Sequence, residues 1–447
     1  TNFNTVTKMK VLKFGGTSVG SAQRMKEVAK LITDGEKKIV VLSAMSGTTN
    51  TLVEISDYLY KKNPEGANEI INKLETKYKQ HIDELFATPE YKQKGLEIIK
   101  SHFDYIRSYT KDLFTLFEEK VVLAQGELIS TAMVNFYLQE CGVKSVLLPA
   151  LEFMRTDKNA EPDPIYIKEK LLAQLELYPD ADIYITQGFI CRNAYGEIDN
   201  LQRGGSDYTA SLIGAAINAS EIQIWTDIDG MHNNDPRIVD KTAPVRQLHF
   251  EEAAELAYFG AKILHPTCIQ PAKYANIPVR LLNTMDPEAP GTLISNDTEK
   301  GKIKAVAAKD NITAIKIKSS RMLLAHGFLR KVFEIFESYQ TSIDMICTSE
   351  VGVSVTVDNT KHLNEILDDL KKYGTVTVDK EMCIICVVGD LEWENVGFEA
   401  KALDAMRDIP VRMISFGGSN YNISFLIREC DKKVALQSLS DMLFNGK

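Results

Sequence analysis

Apolar, β-branched segments alternate with helical segments over the first 297 residues, and no other feature constrains the fold as much. Six segments are typical of strands: Lys10–Phe14, Lys38–Ser43, Lys144–Pro149, Asp182–Thr186, Glu221–Thr226 and Pro278–Asn283. Patterns with helical spacing separate them, for example Ser21–Thr33, Glu127–Glu140 and Ser206–Asn218. This alternation predicts an α/β domain at residues 1–297, with a mainly parallel sheet covered by helices on both faces.

Two further regions depart from this alternation. Residues 63–119 are rich in Lys, Glu, Tyr and Leu, and their apolar residues recur at helical spacing, which predicts a helical insertion of about those limits. Polar, turn-forming residues at 286–301 indicate a domain boundary. Beyond it, the order of helix and strands near residues 327–357 recurs near residues 397–427, which predicts two related α+β modules. The predicted limits are 298–447 for the whole region and about 313–385 and 386–447 for the modules.

The length and charge narrow the possible functions. A chain of 447 residues exceeds what one hydrophobic core usually serves, so more than one domain is expected. The formal net charge of -9 argues against nucleic acid or an anionic membrane as the main partner, because both select for basic surfaces. Phosphate ligands remain compatible with this charge, since backbone N–H groups and single lysines bind them locally.

The cysteines and the apolar runs indicate the compartment. Seven scattered cysteines, an odd number, favour a reducing environment over a disulfide scaffold. Cys383 and Cys386 have the C-x-x-C spacing of metal and redox sites, but in a strand they point to opposite faces, so we expect both in the core. No apolar run approaches the roughly 20 residues that span a bilayer, and the first residues lack a signal-peptide core. We therefore expect a cytoplasmic protein.

A glycine-rich loop, Lys13-Phe14-Gly15-Gly16-Thr17-Ser18, follows the first predicted strand. Because Gly15 and Gly16 lack Cβ atoms, their backbone N–H groups can approach an anion closely, and Lys13 supplies positive charge for phosphoryl oxygens. The loop is neither a Walker A motif nor G-x-G-x-x-G. A tight strand-to-helix turn also favours glycine, so this loop alone fits either a phosphate site or a simple turn.

A second Gly-Gly loop, Arg203-Gly204-Gly205-Ser206-Asp207, also leads into a helical pattern. In one interpretation Ser206 or Asp207 is only the helix N-cap. In the other, Arg203 binds a carboxylate and Asp207 faces a reaction centre. Two Gly-Gly loops in one α/β domain, each near a cation, favour the second interpretation.

The segment Asp227-Ile228-Asp229-Gly230 superficially resembles the start of a calcium loop. The twelfth position counted from Asp227 is Ile238 rather than the required Glu, so the calcium interpretation fails. We expect contact with a nucleotide here instead, with a further lysine, Lys262, downstream.

Together these motifs resemble the aspartate kinases of the amino acid kinase family. The matching segments are Lys13–Val19, Val41–Asn50, Gln125–Leu128, Thr186–Ile190, Arg203–Tyr208, Trp225–Gly230, Asp235–Arg237 and Phe259–Pro266. They occur in the family's order, and the two repeated modules resemble the tandem ACT domains of the same enzymes. The resemblance implies an amino acid kinase fold followed by two ACT domains. It also implies transfer of a phosphoryl group from ATP to the side-chain carboxylate of L-aspartate, the first step toward lysine, threonine and methionine.

The resemblance further implies roles for individual residues. Lys13 is expected to stabilise charge on the transferring phosphoryl group, and Asp207 is expected to orient Lys13 and the reacting groups. Arg203 and Glu127 are expected to hold the α-carboxylate and α-ammonium of aspartate. The expected aspartate-binding residues are Ser43, Thr49, Glu127, Phe189, Arg203 and Ser206. The expected ATP-binding residues are Lys13, Gly15, Gly16, Thr17, Ser18, Thr226, Asp227, His232, Arg237 and Lys262. Mg²⁺ is expected mainly on the phosphates, and His232 stands where the family often has Tyr.

The ACT modules imply feedback regulation by an amino acid and at least a homodimer. The expected effector residues are Met322, Gly327, Phe328, Leu329, Ser342, Asp344, Thr348, Ser349 and Glu350. Asp344 and Glu350 could meet a cationic side chain, which favours lysine. Leu324 and Ala325 stand where lysine-sensitive relatives often carry polar residues, which keeps threonine open as the alternative.

Two other functions stay open. Another amino acid kinase, with glutamate or a related acceptor, would use the same fold, although Glu127 with Arg203 favours an acceptor that has both an ammonium and a carboxylate. A non-catalytic ACT sensor of amino acids would keep the fold without its chemistry, and the joint presence of Lys13, Glu127, Arg203 and Asp207 argues against it.

Overall fold

The computed structural model describes residues 8–262, 264–319 and 326–445. The chain divides into two compact units, Thr1–Met231 with Ile263–Asn296, and His232–Lys262 with Asp297–Lys447. The limits predicted from the sequence, 1–297 and 298–447, stay predictions. In the structure the segment His232–Lys262 belongs with the second unit although it precedes residue 297.

The elements are numbered in chain order. The strands are β1 (Lys10–Phe14), β2 (Lys38–Leu42), β3 (Ser145–Leu148), β4 (Ile183–Gln187), β5 (Ile190–Arg192), β6 (Ile198–Asn200), β7 (Ile222–Thr226), β8 (Met231–His232), β9 (Pro244–Val245), β10 (Gln247–His249), β11 (Val279–Asn283), β12 (Thr292–Ser295), β13 (Ile303–Lys318), β14 (Ile346–Thr348), β15 (Gly352–Val357), β16 (Thr375–Gly389), β17 (Val411–Ser415) and β18 (Asn422–Arg428). The α-helices are α1 (Ala22–Ile32), α2 (Thr48–Tyr60), α3 (Pro64–Leu85), α4 (Pro89–Ser108), α5 (Leu116–Glu140), α6 (Pro164–Glu176), α7 (Gly205–Ile217), α8 (Phe250–Tyr258), α9 (Pro266–Tyr274), α10 (Phe328–Ser338), α11 (Leu363–Lys371), α12 (Phe398–Ala405) and α13 (Lys432–Leu443).

The sheet of the first unit is mainly parallel. Its strands lie in the order β12-β11-β7-β1-β2-β4-β3, parallel throughout except that β12 is antiparallel to β11. Every residue of β2 and β4 is buried, and since consecutive strand residues point to opposite faces, both faces of the sheet are covered. The predicted α/β fold with its mainly parallel sheet is confirmed.

The region at 63–119 is helical, as predicted, and consists of α3, α4 and the start of α5. Pro64 and Pro89 occupy the first turns of α3 and α4, where no helical partner exists for the missing N–H. A capping box formed by Thr115 and Glu118 begins α5, which is why this helix starts eleven residues before the predicted Glu127. The α3 and α4 helices share one hydrophobic core with β1 and β2, so the insertion is built onto the sheet.

Helix α5 is, in the part of the chain that the structure describes, the single helix long and apolar enough to cross a membrane. No segment of this kind was expected from the sequence. However, 83% of its most apolar 18-residue window is buried inside the protein. Its apolar residues therefore serve the core of the first unit.

Two long strands, β13 and β16, each contribute to two hydrophobic cores in the second unit. Val306 of β13 and Ile385 of β16 pack in one core, whereas Ile315 and the start of β16 pack in the other. The strand register shifts between these parts, near Asn311 and Glu381, which have φ of 58° and 56°. The result is an antiparallel sheet, β14-β15-β13-β16-β18-β17, in which the two modules share strands.

Cys383 and Cys386 are both fully buried on β16. Cys383 packs in the core that contains Ile385, while the Cys386 Sγ lies 2.9 Å from the Oδ1 of Asn422. Burial raises the pKa of both thiols, which keeps them protonated and unreactive. The prediction that both cysteines lie in the core is confirmed.

His81 of α3 makes the stability of the first unit sensitive to acid. Both of its ring nitrogens are buried and have no hydrogen-bond partner among the described residues. Burial lowers the pKa of His81, because the charged ring would lose its hydration. In the unfolded chain a histidine titrates near pH 6.5, so the unfolded state binds the proton more readily.

We therefore expect the protein to lose stability as the pH falls through about 6.5. The variant His81→Leu should lose fewer degrees of Tm than the wild type between pH 7.5 and pH 5.5. Thermal unfolding at both pH values measures this, with the exposed His326→Gln as a control that should follow the wild type. Parallel curves for His81→Leu and wild type would contradict the assignment.

Candidate functional site

The carboxyl ends of three neighbouring parallel strands form one edge of the first unit's sheet. The last residues of β1, β2 and β4 are in register: Phe14 pairs with Leu42, and Leu42 pairs with Gln187. The loops that follow these strands therefore start side by side. In open α/β sheets this edge is where ligands bind.

Lys13 and Asp207 form an ion pair at this edge. Lys13 is only 9% exposed, and its Nζ lies 2.8 Å from the Oδ1 of Asp207 in the first turn of α7. A Cβ at Gly15 would lie 3.3 Å from that Nζ, so glycine leaves room for the ammonium. The two Gly-Gly loops predicted from the sequence are thus joined by the two residues that were predicted to be catalytic.

The loop Gly15–Ser18 folds back tightly on its neighbours. The N–H of Ser18 donates to the Gly15 carbonyl at 3.1 Å, and the N–H of Ser46 donates to the Gly16 carbonyl at 3.1 Å. A Cβ at Gly16 would lie 3.0 Å from the carbonyl oxygen of Ala44. Glycine at this position therefore allows the loop after β1 to contact the loop after β2.

A pocket of about 290 Å³ opens beside these loops. Its lining residues come from the loops after β1, β2 and β4 and from α2, α5 and α7: Gly16, Ser43, Ala44, Met45, Ser46, Gly47, Thr49, Asn50, Glu127, Phe189, Gly205 and Ser206. All the residues predicted to bind aspartate line it, except Arg203. Sequence reasoning assigned no role to the lining residues Ala44–Gly47 and Asn50, although the motif Val41–Asn50 contains them.

Ser43 and Ser206 connect the loop after β2 with the start of α7. Their hydroxyl oxygens lie 2.9 Å apart, and Ser130 of α5 donates its hydroxyl to the Ser43 carbonyl at 2.8 Å. A Cβ at Gly188 would lie 2.2 Å from the Ser206 Oγ, which no side chain could tolerate. Gly188 is thus a site residue that sequence reasoning missed, although it stands in the matching segment Thr186–Ile190.

Glu127 is a buried acid on the pocket wall. It is 3% exposed, and its Oε2 has no hydrogen-bond partner among the described residues. Burial raises the pKa of Glu127 to about 8, against the opposing effect of backbone N–H groups of Glu127 and Ala44. A buried acid that lacks a partner for one oxygen is suited to receive a cationic group of a ligand.

Phe189 has a backbone conformation that non-glycine residues rarely adopt, with φ of 72°. Its N–H donates to the Thr209 hydroxyl at 3.0 Å, and its carbonyl accepts from the Leu201 N–H at 2.8 Å. These bonds hold the strained residue in place on the pocket wall.

Arg203, Thr226 and Asp227 lie on loops of the first unit outside the pocket lining. Arg203 is exposed on the loop before α7, where burial and the Arg203 charge lower the pKa of His265. Thr226 ends β7 and accepts the Thr284 N–H at its carbonyl at 2.8 Å, and the following Asp227 is exposed. His265 caps α9 by accepting from the Thr267 N–H, which is a structural role.

The remaining residues predicted to bind the nucleotide belong to the second unit. The Nδ1 of His232 lies 2.8 Å from the Thr242 hydroxyl oxygen. Arg237 is exposed and pairs with Asp235 at 2.8 Å. Lys262 is exposed at the end of its segment.

The residues predicted to bind the effector lie around α10 and β14 of the second unit. Met322 lies outside the described residues, as do Leu324 and Ala325. Gly327 precedes α10 with φ of 84°, and Phe328 is buried at its start. The other predicted residues are Leu329, Ser342, Asp344, Thr348, Ser349 and Glu350, of which all but Asp344 are exposed.

Asp344 differs from this group because its side chain is buried and already paired. Its Oδ1 lies 3.0 Å from the Nζ of Lys309, which also lies 3.0 Å from the Oδ2 of Asp358. The Tyr258 hydroxyl donates to the same Oδ1 at 3.3 Å. The expectation that Asp344 offers a free charge to a ligand did not foresee this internal lysine, which lies 35 residues away in sequence.

Within the described ranges, no group of three or more His, Cys, Asp and Glu side chains could hold a metal ion. The site offers single carboxylates such as Asp207. That donor set fits a cation whose other ligands are phosphate oxygens and water, which is how Mg²⁺ commonly binds with nucleotides.

Comparison with known proteins adds an independent finding. Residues 8–283 match the amino acid kinase family, and residues 385–443 match the ACT domain. Aspartokinase 1, chloroplastic, of Arabidopsis thaliana is 36% identical over 460 residues, which cover 98% of this chain and 80% of that protein. Lysine-sensitive aspartokinase 3 of Escherichia coli (strain K12) is 33% identical over 454 residues, 98% of this chain and 100% of that one. The crystal structure of E. coli aspartokinase III in complex with aspartate and ADP (R-state) has a TM-score of 0.82 at 32% identity, covering 98% of this chain and 100% of that chain.

The raised pKa of Glu127 predicts a cost to stability at neutral and alkaline pH. Between about pH 4.5 and pH 8 the unfolded chain releases a proton that the folded protein keeps, so stability contributed by this site falls as the pH rises. Glutamine at position 127 cannot ionise. The free energy of unfolding of Glu127→Gln should therefore rise, relative to that of the wild type, by up to a few kcal/mol between pH 5 and pH 8.

Urea unfolding of both proteins at the two pH values measures this difference. The exposed Glu97→Gln on α4 is the matched control and should show no such gain. If the stability difference between Glu127→Gln and wild type is the same at pH 5 and pH 8, Glu127 does not titrate as described.

Proposed function

The chain belongs to the amino acid kinase family and, within it, to the aspartokinases, and from this membership we propose how its own residues phosphorylate aspartate. The reaction transfers the terminal phosphoryl group of ATP to the side-chain carboxylate of L-aspartate. One observation carries the assignment of residues: the Lys13–Asp207 ion pair stands next to the pocket residue Ser206, in a site whose wall holds the buried Glu127.

Lys13 stabilises the negative charge that spreads over the phosphoryl oxygens during transfer. Phosphoryl transfer depends on positioning and charge neutralisation more than on covalent chemistry. A lysine that is largely buried and fixed by Asp207 presents its charge with little reorganisation. The backbone N–H groups of Gly15 and Gly16 can approach the same phosphates because no Cβ stands in the way.

The acceptor occupies the pocket lined by Ser43, Thr49, Phe189 and Ser206, with its α-ammonium at Glu127. Arg203 binds the α-carboxylate from its exposed position on the loop before α7, which requires that this side chain turn toward the pocket. The side-chain carboxylate of aspartate is already ionised near neutral pH, since its ordinary pKa is about 3.9. The attacking oxygen therefore needs no general base.

ATP binds with its phosphates at the loop Gly15–Ser18, and Thr226 and Asp227 contribute from the loop after β7. His232, Arg237 and Lys262 are the other residues proposed to contact ATP. Mg²⁺ is held mainly by the phosphates, and it neutralises their charge. Asp207, the carboxylate next to Lys13, is positioned to orient Lys13 and the reacting groups.

The first experiment replaces Lys13. Lys13→Met removes the charge but keeps a similar length, so kcat for aspartate-dependent ADP release should fall by about 10²–10³-fold. Release is measured with aspartate, with glutamate and without an acceptor, and the wild type should respond to aspartate.

Lys38→Met is the matched control, because Lys38 is also a buried lysine that pairs with a carboxylate, that of Asp34. It should lose stability without a comparable loss of kcat. If Lys13→Met keeps more than about a tenth of the wild-type kcat, its proposed role is wrong.

Lysine is the proposed effector, and it binds through Asp344. The protein is proposed to be at least a homodimer and to work in the cytoplasm. Support comes from the buried Asp344 carboxylate, whose Oδ2 has no hydrogen-bond partner in the described part of the chain. Lys309 already shows that an alkylammonium group fits beside the Oδ1. Bound lysine should favour a conformation that holds aspartate or ATP poorly.

Asp344→Asn tests this assignment. The lysine concentration for half-inhibition should rise at least about tenfold, since one charge-assisted contact is lost. Inhibition is expressed relative to each variant's own uninhibited rate, and threonine is titrated in parallel. Asp358→Asn, which removes the more exposed partner of the same Lys309, should keep lysine sensitivity. Flat wild-type curves for both amino acids would refute the regulatory proposal.

A further inference from the structure

We propose that Tyr78, on the helical insertion, is a positioning residue for the acceptor pocket and acts through the hydroxyl of Thr48. It holds two pocket walls together: the start of α2 and the part of α5 that carries Glu127. The inference rests on the proposed function, because the pocket it positions is the one assigned to aspartate. It gives the helical insertion an indirect part in substrate binding.

The Tyr78 hydroxyl reaches from α3 to the first residue of α2. Its oxygen lies 2.5 Å from the Thr48 Oγ1, and both side chains are buried, Tyr78 being 1% exposed. Burial raises the pKa of Tyr78 above its usual range, against the opposing effect of the hydrogen bond with Thr48. The hydroxyl therefore stays protonated and makes its hydrogen bond in a place where water does not compete.

Thr48 stands at the junction of the two walls. It follows Gly47, which has φ of 82°, and its N–H donates to the Met45 carbonyl at 3.0 Å. A Cβ at Gly126 would lie 3.4 Å from the Thr48 Cγ2, so this side chain lies between Tyr78 and α5. The residue after Thr48 is the pocket residue Thr49, and the residue after Gly126 is Glu127.

Without the Tyr78 hydroxyl, Thr48 would have a buried hydroxyl with one partner fewer and more freedom to rotate. Small displacements at Thr49 and Glu127 would follow, because each is one residue from the contact. Both line the acceptor pocket, whereas the hydrogen bond of Tyr78 goes to Thr48 and not to the glycine loop Gly15–Ser18. A loss at Tyr78 should therefore weaken aspartate binding and leave ATP binding largely unchanged.

The experiment compares Tyr78→Phe with Tyr184→Phe. Tyr184 is also a buried tyrosine, and its hydroxyl donates to the Tyr178 carbonyl at 2.6 Å. Neither Tyr184 nor Tyr178 lines the pocket or is next in sequence to a residue that does. Tyr78→Phe should raise KM for aspartate about tenfold, with kcat and KM for ATP within about twofold of wild type. Tyr184→Phe should lower Tm by about as much as Tyr78→Phe does and leave all three kinetic constants unchanged.

A KM for aspartate within about twofold of wild type in Tyr78→Phe overturns the inference. A wild type without aspartate-dependent turnover would instead overturn the proposed function, so the two failures are distinguishable. If Tyr78→Phe does not fold, Thr48→Val removes the same hydrogen bond from the other side and should raise KM for aspartate equally. Thr48→Ser keeps the hydroxyl and should keep the wild-type KM for aspartate.

The double variant Tyr78→Phe/Thr48→Val decides whether Tyr78 acts through Thr48. If it does, the double variant should be no worse than either single variant, because one contact cannot be lost twice. If the increases in KM for aspartate of the two single variants multiply in the double variant, the two residues act independently. That result would overturn the proposal that Tyr78 acts through Thr48.

Discussion

A lysine charge that is nine-tenths buried at the end of a central strand is the constraint on which the site depends. Lys13 lies on β1, between β2 and β7, where only 9% of the residue is exposed to water. A buried charge of this kind is tolerated only when it is paired, and Asp207 provides the pair at 2.8 Å. The start of α7 must therefore lie against the end of β1, which fixes both Gly-Gly loops at one edge of the sheet.

Glycine sets the distances that this arrangement requires. The start of α7 can approach β4 because Gly188 has no Cβ, which would otherwise lie 2.2 Å from the Ser206 Oγ. The loop after β1 can contact the loop after β2 because Gly16 has none. At these two positions any larger side chain would separate the loops and open the pocket.

The fold was largely predictable because its signals are local. Six apolar, β-branched segments that alternate with helical segments predicted a sheet covered on both faces, and the ends of all six agree with the structure within about one residue. Lys13 and Asp207 were each predicted as part of a Gly-Gly loop, although nothing in the sequence gave the distance between them. Contacts between distant residues could not be predicted: Lys309 pairs with Asp344, Tyr78 with Thr48, and a glycine at 188 is required by a serine at 206. Such pairs depend on packing, which leaves no periodic pattern in the sequence.

In the proposed function, Glu127 would let a pocket without a general base select its acceptor. The carboxyl has a pKa of about 8, because the loss of hydration outweighs the hydrogen bonds from the backbone N–H groups of Glu127 and Ala44, and its Oε2 has no partner among the described residues. The α-ammonium of aspartate would supply that partner, so ionisation of Glu127 becomes favourable only when an acceptor with a free ammonium is bound. An acylated amino group or a nucleotide would bring no positive charge, and the buried carboxyl would then stay neutral with an unpaired oxygen. Discrimination would thus arise from the cost of an unpaired buried acid, while the attack itself uses a carboxylate that is already ionised in water.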